Sequence, residues 1–474
     1  MADWNEFKRK VRIGRKILVT LGPVILILIA LYCLIQNRRQ SRADELPDYE
    51  LKNTIYVAAE GDDSNDGSKQ HPFRTIQHAL DHAEAGTMIR VKDGVYEEQL
   101  VFPKSGTEEE PIVVRGEKGK RTNEGEWHMQ CASELCFPAG EERITLIDLN
   151  GQSNICIENL DIGNISAKYA CGIFVPACSR SIRITNCRIH DVKVEERFLV
   201  SPEESEEKVG EANAILCLGE GESEDSAIRD IEIRGNEICN NVTNWSEAVS
   251  VAGNVVHADI VNNQVHDNTN IGIDFNGNNG YCGREDLDQP RGCVARENTV
   301  YNCHCEYAHC AGIYVDGAKQ ITLESNEVHD CDYGIEVGAE VRKDAYPTAD
   351  ITVKSNYLYS NSYGGIWIGG YDESDSGMVR DVSVLENSLR DNGFSNGEPE
   401  IMINRCMGVL FSGNKFERNA KSAVDLPIIV SEMDEENTSD LSFMNNQFYT
   451  ETSPDQLIFL LNKREIIGVK NLEQ

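Results

Sequence analysis

The stretch GIYVDGAKQITLESNEVHDCDYGIEVGAE, residues 312–340, contains one pattern twice. GIYVDG (312–317) returns as GIEVGA (334–339), with the Ile and the Val kept while the residues between them change. Successive side chains of a β-strand point to opposite faces, so the kept aliphatic positions face a core and the changing positions face outward. The stretch therefore predicts two copies of one short strand, each with a buried face and an outward face.

A recurring asparagine shows how often the unit repeats. It follows a short alternating run and stands two places before an apolar residue, as in ESNEV and KSNYL, at positions 236, 263, 298, 326, 356, 387, 414 and 446. Successive differences are 27, 35, 28, 30, 31, 27 and 32, and Cys187 and Leu160 extend the frame to about ten copies. Asparagine suits a coil corner because it tolerates left-handed backbone angles and because stacked amides hydrogen-bond from coil to coil.

Each unit is built of strands, because its short runs alternate with a period of two and are rich in Val, Ile, Thr and Tyr. One such unit cannot bury its apolar face alone, so the units must stack. We predict an all-β fold, a parallel β-helix of about ten coils that occupies residues 53–474. Segments 195–225 and 276–293 interrupt the period, and loops inserted into solenoids often build the binding face.

The charge of the chain excludes one class of partner. The formal net charge is −34, and residues 1–42 hold nine Lys or Arg and two acids, so residues 43–474 carry −41. Nucleic acid binding depends on neutralising phosphates, and this acidity argues against it. It also disfavours polyanionic glycans, unless bound cations bridge them.

The N-terminus predicts a membrane anchor. Residues 17–35, ILVTLGPVILILIALYCLI, are 19 residues without a charge, about enough to span a bilayer core. Six Lys or Arg precede this span and three follow it, so we expect the N-terminus to be cytoplasmic and the β-helix domain extracytoplasmic. A cleaved signal peptide is the alternative, but the residues after the span offer no small-residue cleavage site. The predicted order is a basic segment (1–16), a transmembrane helix (17–35), a linker (36–52) and the β-helix domain.

Residues 53–104 predict a cap on the N-terminal end of the solenoid. Thr75–Ala83 places Ile76, Ala79, Leu80 and Ala83 on one face, as a short helix covering the open end of a β-helix does. Asp62-x-Ser64-x-Asp66-Gly67 is similar to a calcium loop, but Phe73 stands where such a loop has Glu, so we predict a turn.

YVAAEGDDSNDGS and HPFRTIQHALDHAEAGTMIRVKDGVY in this cap resemble the N-terminal motif of right-handed parallel β-helix proteins of the pectate-lyase-like superfamily. That group includes family-nine polysaccharide lyases and chondroitinase-B-like enzymes, and the resemblance covers about residues 54–450. It implies a right-handed coil. It also implies calcium held by clustered Asp residues and a Lys base, although no residues of this chain match that arrangement by position. The Asp-Pro-His-Asp signature of the epimerases is absent from the sequence.

The outward positions of the opening pattern predict the site. GIDFNG (272–277), GIYVDG, GIEVGA, GIWIGG (365–370) and EIMINR (400–405) align as strands of successive coils. One outward column then reads Asp274, Tyr314, Glu336, Trp367 and Met402, and the next reads Asn276, Asp316, Gly338, Gly369 and Asn404. Earlier coils place Phe174, Leu216 and Ser250 in the first column and carry no acid there. We expect an exposed face on which acids, amides and aromatic rings gather.

This combination suits a neutral sugar. We predict Asp316, Glu336 and Asp274 as catalytic acids, and Tyr314, Trp367, Asn276 and Asn404 as substrate-binding residues. Diagonal neighbours on adjacent strands lie about 7–8 Å apart, within the roughly 6.5–9.5 Å of inverting glycosidases. Gly338 and Gly369 are expected to open a floor beside them. The alternative is that the acids belong to a generally acidic surface and the rings pack under a loop.

Other chemistry-bearing residues have simpler readings. The histidines 190, 266 and 329 share a repeat position with Tyr301, Tyr359 and Arg390, which predicts a structural role. Lys319, Arg342 and Lys343 adjoin the proposed face and are predicted to be turn residues. The alternative is that one of them acts as the base of a lyase. CHCEYAHC (303–310) lacks paired zinc-knuckle spacing, so free or locally paired thiols are expected.

Two functions remain open. The first is a membrane-anchored, extracytoplasmic enzyme that cleaves a polysaccharide or cell-surface glycan, by hydrolysis or by β-elimination. The second is a non-catalytic module that binds glycan or cell wall. No metal site follows from the residues alone, and calcium enters only through the resemblance.

Overall fold

The computed structural model describes residues 51–117, 120–122, 128–130, 133–137, 143–199, 209–306, 308, 310–370, 376–393, 396–418, 429–433, 438–449 and 458–460. These residues form three long parallel sheets and one antiparallel pair. The predicted anchor, residues 17–35, and the rest of the first 50 residues lie outside the described part. Within the described part, no helix has the length and apolar character needed to cross a membrane.

The strands are numbered β1 to β39 along the chain, and sheet A holds thirteen of them. In sheet order these are β1 (Asn53–Val57), β2 (Thr87–Val91), β5 (Ile112–Gly116), β10 (Ile155–Glu158), β13 (Arg180–Thr185), β16 (Ile228–Arg234), β19 (Val255–Val261), β22 (Arg291–Arg296), β25 (Lys319–Glu324), β28 (Thr348–Lys354), β31 (Val379–Leu385), β34 (Cys406–Ser412) and β37 (Ser439–Met444).

Sheet B holds twelve shorter strands. They are β3 (Gly94–Glu97), β8 (Ser133–Cys136), β11 (Asp161–Ala167), β14 (Arg188–Val194), β17 (Glu237–Cys239), β20 (Gln264–His266), β23 (Thr299–Tyr301), β26 (Glu327–His329), β29 (Tyr357–Tyr359), β32 (Ser388–Arg390), β35 (Lys415–Glu417) and β38 (Gln447–Tyr449).

Sheet C also holds twelve strands and contains the opening pattern. They are β4 (Leu100–Val101), β9 (Arg143–Asp148), β12 (Tyr169–Pro176), β15 (Glu211–Gly219), β18 (Val249–Gly253), β21 (Ile273–Asn276), β24 (Ala311–Asp316), β27 (Tyr333–Gly338), β30 (Gly364–Ile368), β33 (Ile401–Asn404), β36 (Ile429–Met433) and β39 (Ile458–Leu460). The antiparallel pair is β6 (Lys120–Thr122) with β7 (His128–Gln130). Short 3-10 turns lie at Glu196–Phe198, Glu224–Ser226 and Glu285–Leu287.

Each sheet takes one strand from every coil, so the parallel β-helix is confirmed. Twelve to thirteen coils are described, more than the ten predicted, because the coils before Leu160 carry no asparagine signal. Inward aliphatic side chains such as Ile313, Val315, Ile335 and Val337 are fully buried and belong to one core that follows the coils. Aromatic side chains also stack from coil to coil. The rings of Phe411 and Phe443 lie parallel with centroids 4.9 Å apart.

The asparagine ladder is confirmed as a line of hydrogen bonds. The side chain of Asn326 donates to Asn356 Oδ1 at 3.0 Å and to the Ala295 carbonyl at 2.9 Å, and its own Oδ1 accepts from Asn298. One expectation about the ladder was wrong. The residue with left-handed backbone angles is the one before each ladder asparagine, for example Ser325 (φ 57°) and Ser355 (φ 55°). The backbone reverses there, and the asparagine that follows turns its amide inward.

The cap is confirmed as well. Helix α1 (Ile76–His82) begins after Thr75, whose hydroxyl accepts from the backbone N–H of His78, and buries Ile76, Ala79 and Leu80 against the first coils. The carboxylate of Glu98 accepts from the backbone N–H groups of Ile76 and Gln77, which satisfies donors that a helix N-terminus leaves open. In the loop before the helix, Asp62 and Asp66 accept from backbone N–H groups two residues on, as turn-forming side chains do.

Candidate functional site

The register of sheet C brings the predicted residues into two adjoining columns. Asp274 pairs with Tyr314, Tyr314 with Glu336, and Glu336 with Trp367. In the second column Asp316 pairs with Asn276 on one side and Gly338 on the other. The alignment inferred from the sequence is therefore confirmed strand by strand, and it extends back to Ser250, which pairs with Asp274.

This face is not exposed, which corrects the sequence prediction. Asp274, Asp316 and Glu336 are each 1% exposed and Tyr314 is 3% exposed. The inserted segment 276–293 and the segment after β27 are joined near this face. Asn278 Nδ2 and Gln289 Nε2 both donate to the carbonyl of Tyr346, at 2.9 and 3.1 Å. The outward side chains of sheet C are thus buried as well, by the covering loops and by one another.

Two further acids, both missed by sequence reasoning, join the predicted three. We call Glu247, Asp274, Asp316, Glu336 and Glu340 the acid cluster. Glu247 lies just before β18 and is half-buried, whereas Glu340 follows β27 and is exposed. The backbone N–H of Glu340 donates to Asp316 Oδ1 at 2.8 Å. Both acids lie next to the ends of sheet C strands. Inspection of the residues that flank each aligned strand would therefore have found them.

The acid cluster carries raised pKa values. Burial, followed by the negative charges of Glu247, Asp316 and Glu340, raises the pKa of Asp274 well above its usual range. Burial raises the pKa of Asp316 and of Glu336 in the same way, with Glu340 the largest charge acting on both. The surrounding protein atoms raise the pKa of Glu247 to about 7 and also raise the pKa of Glu340, although part of each residue remains accessible to solvent.

Two carboxyl oxygens in the acid cluster have no hydrogen-bond partner among the described residues. They are Asp274 Oδ1 and Glu336 Oε1, and both are buried. Native structures leave few buried polar atoms unpaired, because each costs about 1–3 kcal/mol. Such a cost, repeated at two neighbouring acids on one face, is typical of a functional site.

Tyr314 has a different role from the predicted one. Its hydroxyl donates to Glu340 Oε1 at 3.3 Å, and its ring lies over Gly338, where an added Cβ would meet the hydroxyl oxygen at 2.5 Å. Gly338 therefore makes room for Tyr314 rather than a floor for a sugar. Gly369 is likewise closed, because a Cβ there would meet the Asn404 carbonyl. Tyr314 is closed off from solvent and contacts Glu340, so stacking of its ring on a ligand would need the same opening as access to the inner acids.

The other predicted binding residues divide by exposure. Trp367 is half-buried, and its ring meets the edge of Tyr333 with centroids 5.1 Å apart, beside the apolar group formed by Ile271, Cys310, Ala311, Tyr314 and Tyr333. Asn276 is half-buried and accepts from Asn279. Asn404 is 2% exposed and donates to the Gly370 carbonyl, which gives it a structural role. Trp367 and Asn276 are thus the two predicted binding residues that a ligand can reach.

Tyr281, in the inserted segment 276–293, is another residue that sequence reasoning missed. Burial, with the charges of Glu247 and Asp274 next, raises the pKa of Tyr281 well above its usual range. The tyrosine therefore lies close to the acid cluster. The sequence predicts that this segment helps to build the binding face but does not single out Tyr281.

Calcium does not fit the acid cluster as placed. Calcium takes six to eight oxygen ligands at 2.3–2.6 Å, so its carboxylate ligands must lie close together. Among the described residues, the one group of three acidic, His or Cys side chains with ligand atoms within 4.8 Å of one another is Glu237, Cys239 and His266, in sheet B. We derive no step through calcium.

The remaining candidates have structural or surface positions, but Lys319 is the first residue of strand β25 and not the predicted turn residue. Rings of His266, Tyr301, His329 and Tyr359 stack along sheet B, so the histidine repeat is structural. Arg342 pairs with Asp344, and Lys343 with Glu285. Lys319 is half-buried, and burial lowers its pKa. Of the clustered cysteines, Cys303 and Cys310 are free thiols.

Comparison with known proteins identifies the class. Residues 55–216 match the family model described as Pel9A-like, right handed beta helix region, and residues 213–376 match a second model, right handed beta helix region. Over residues 55–376 the chain is therefore similar to right-handed β-helix regions, and over residues 55–216 to the Pel9A-like kind that the motif in the cap implied.

Individual relatives agree with this class. The uncharacterized protein YwoF of Bacillus subtilis (strain 168) is 29% identical over 423 residues, covering 87% of this chain and 83% of the relative. Pectate lyase PEL9 of Emericella nidulans is 37% identical over 72 residues, which span 15% of this chain and 18% of the lyase. The A-module of mannuronan C-5 epimerase AlgE4 from Azotobacter vinelandii superposes with a TM-score of 0.55 at 15% identity, covering 79% of this chain and 90% of that module, and shows the shared fold.

Proposed function

We propose that this protein is a carbohydrate-active enzyme that acts on a polysaccharide or cell-surface glycan at the acid cluster of sheet C. The observation that carries the proposal is the cluster itself. Three carboxyl groups are almost completely buried side by side, their pKa values are raised, and two of their oxygens have no partner among the described residues. Clustered acids with raised pKa values can act as general acids, because they still hold a proton near neutral pH.

Hydrolysis is the reaction that this arrangement supports best. A carboxyl whose pKa is raised stays protonated near neutral pH and can donate that proton to a glycosidic oxygen. Glu247, whose pKa is about 7, exists in both protonation states at neutral pH and can serve as the partner base. Asp316 is diagonal to Asp274 and to Glu336 across adjacent strands. Such neighbours lie about 7–8 Å apart, in the range of inverting glycosidases.

β-Elimination is the second candidate, and the Pel9A-like match favours it. A lyase needs a base that removes a proton next to a carboxylate of the sugar. Lys319, whose pKa is lowered by burial, has the right chemistry. It begins β25 in sheet A, outside the two columns of sheet C, so the acid cluster and Lys319 do not form one arrangement.

A glycan would meet the rim of the acid cluster before its interior. Glu340 is exposed, and Glu247, Asn276 and Trp367 are half-buried, whereas the three inner acids are closed off. Catalysis at Asp274, Asp316 or Glu336 therefore requires the covering segment 276–293 to move when substrate binds. Gly280 lies in that segment with φ 81°, and its backbone N–H donates to Asp288 Oδ2 at 2.7 Å, a bond within the same segment that such a movement need not break.

Turnover of a glycan panel by the full-length protein tests the proposal. New reducing ends without absorbance from an unsaturated product indicate hydrolysis, and that absorbance indicates a lyase. Asp316→Asn and Glu336→Gln should each lower turnover by roughly 10²–10⁴, whereas the exposed Glu220→Gln should not change it. Trp367→Ala should weaken glycan affinity by about 1–3 kcal/mol, if ring stacking here resembles base–aromatic stacking. Binding without turnover by the wild type would instead favour a non-catalytic glycan-binding module.

The proposal includes a location outside the cytoplasm. The apolar span 17–35 and the basic residues before it support a single-pass anchor with a cytoplasmic N-terminus. The β-helix domain would then meet glycans of the cell surface.

A further inference from the structure

A second cluster of chemistry-bearing side chains lies in sheet B, away from the acid cluster. One column of paired residues there reads His190, Cys239, His266, Tyr301 and His329. Every member is a ring except Cys239, whose thiol stands between two histidines. Glu237 lies two residues before Cys239, on the same face of β17. The thiol, the imidazole of His266 and the carboxylate of Glu237 are at most 3% exposed.

The ligand atoms of this group lie close to the spacing that a tetrahedral metal imposes. Cys239 Sγ lies 3.9 Å from Glu237 Oε1, and His266 Nε2 lies 3.5 Å from the same oxygen. The ligand atoms of all three residues are within 4.8 Å of one another. Zinc bonds of 2.0–2.3 Å to oxygen, nitrogen and sulfur give ligand-to-ligand separations of about 3.3–3.7 Å in a tetrahedron. A small inward shift of the three side chains would therefore close them around one ion.

The surroundings of His266 are those of a metal-binding histidine. Its Nδ1 is 2.7 Å from Asp267 Oδ2, which leaves Nε2 on the side of Glu237. A carboxylate on the far nitrogen fixes the ring and raises its basicity as a ligand. His190, the other neighbour of Cys239, is engaged through both nitrogens, by Asp161 and Asp191, and so is not available as a ligand.

Carboxylates outnumber basic side chains around this group, so a divalent cation would be balanced there. Asp161, Asp191, Glu237 and Asp267 supply four carboxylates, and Arg188 and Lys193 are the basic side chains that pair with them. Arg188 faces the same group: its nitrogens lie 3.7 Å from Asp161 and 3.7 Å from Glu237, and Nη2 donates to Cys239 Sγ at 3.9 Å. Protonated His190 and His266 would balance the same excess without a metal, so the experiment must separate the two.

We propose that Glu237, Cys239 and His266 form a zinc site that ties two successive coils of sheet B together. Glu237 and Cys239 come from β17 and His266 from β20, so the ion cross-links neighbouring strands from outside the core. Thiolate, imidazole and carboxylate are the ligand types that zinc selects, and a water completes the tetrahedron. The site is independent of the acid cluster and of the reaction proposed there.

Metal content of the full-length protein tests this site. After dialysis against Zn2+ and then metal-free buffer, the wild type should retain one zinc per chain. Cys239→Ser and His266→Gln should each lower zinc affinity by at least tenfold to a hundredfold, the loss found even for outer-shell changes. Cobalt substitution adds a direct readout, because a thiolate-to-cobalt absorption band should be present in the wild type and absent in Cys239→Ser.

His329→Gln is the matched control. His329 occupies the same column, stacks on Tyr301 and holds Asp330 through Nδ1 at 2.7 Å, as His266 holds Asp267, but it is not in the group of three. It should keep the zinc of the wild type. If Cys239→Ser does not fold, as judged by circular dichroism, Glu237→Gln takes its place. A wild type without retained zinc, or variants that bind zinc as the wild type does, would overturn the site in favour of a protonated ion-pair network.

Discussion

Glu340, the last residue of the opening stretch, donates its backbone N–H to Oδ1 of Asp316, near the beginning of that stretch, at 2.8 Å. The bond itself stabilises the charged form of Asp316. The carboxylate that arrives with Glu340 acts in the opposite direction, as does burial, and the net result is a pKa of Asp316 well above its usual range. Glu340 thus aligns Asp316 through its backbone, while its carboxylate helps to keep Asp316 protonated.

The acid cluster makes the stability of the protein depend on pH. An acid whose pKa is higher in the folded state than in the unfolded state contributes stability that is fully present below its unfolded pKa, about 4. That stability declines as pH rises through the folded pKa, which is about 7 for Glu247. We expect the melting temperature to fall between pH 4 and pH 8, measured by differential scanning calorimetry.

Removing a buried acid should therefore stabilise the fold at high pH. Asp316→Asn and Glu336→Gln keep the shape of the side chain and remove the ionisable group, so each should raise the free energy of unfolding at pH 8, by on the order of 1 kcal/mol. The gain should vanish at pH 4. The exposed Glu220→Gln is the control and should follow the wild type at both values. Equal destabilisation at both pH values would show that these acids are ionised and paired.

Tyr314→Phe should shift the titration of Glu340. The tyrosine hydroxyl donates to Glu340 Oε1 at 3.3 Å and lowers the pKa of that acid. Without the hydroxyl the pKa of Glu340 rises, so any limb of the pH–activity profile that reports Glu340 should move to higher pH. The fold should lose about 0.5–1.5 kcal/mol, the usual net value of a hydrogen bond. Tyr363→Phe, two coils further along, should leave the profile in place, and an unchanged profile in Tyr314→Phe would separate Glu340 from catalysis.

The ladder asparagines should be worth more than surface asparagines. Asn326→Ala removes donors to Asn356 and to the Ala295 carbonyl and leaves Asn298 without its acceptor. We expect a loss of about 1–3 kcal/mol in the free energy of unfolding, measured by urea denaturation. Asn396→Ala is the comparison, because Asn396 is exposed and its side chain donates to the Ser362 carbonyl, outside the ladder. Similar midpoints for both variants would contradict the structural role of the ladder.

The residue before each ladder asparagine should tolerate glycine and resist β-branched side chains. Ser355 has φ 55°, in the left-handed region, and its side chain is exposed. Ser355→Val should cost about 1–2 kcal/mol, whereas Ser355→Gly should leave stability close to that of the wild type. Ser383→Val, in the middle of strand β31, is the control because an extended backbone accepts valine. Equal urea midpoints for the two valine variants would show that the corner is not strained.

Protease added to intact cells tests the proposed location. With an uncleaved anchor at 17–35 and the N-terminus inside, the β-helix domain should be digested, while a tag placed before residue 1 should be protected until the cells are lysed. The basic residues before the span favour this orientation. Full protection of the domain in intact cells would reverse the topology.

The sequence alone determined the coil. Its asparagine spacing and two-residue alternation predicted the stacked strands, the ladder and the aligned columns from Asp274 to Trp367. They could do so because each coil contacts only its neighbours, so the repeat along the sequence reproduces the stacking in space. Even within the coil, the sequence did not show which of two adjacent residues turns left-handed. That choice depends on which amide the stack can satisfy, as Asn326 and Ser325 illustrate.

Only the tertiary structure decided how the site is enclosed. Glu247, Tyr281 and Glu340 reach the acid cluster from a strand entry, an inserted loop and a strand exit, and no repeat marks them. Periodicity assigns a side chain to the inner or outer face of a sheet, but it does not say whether a loop then covers that face. Loops fold according to contacts between segments distant in sequence, such as Gln289 with Tyr346. The face predicted to be open is for that reason closed, and burial gives its acids their raised pKa values.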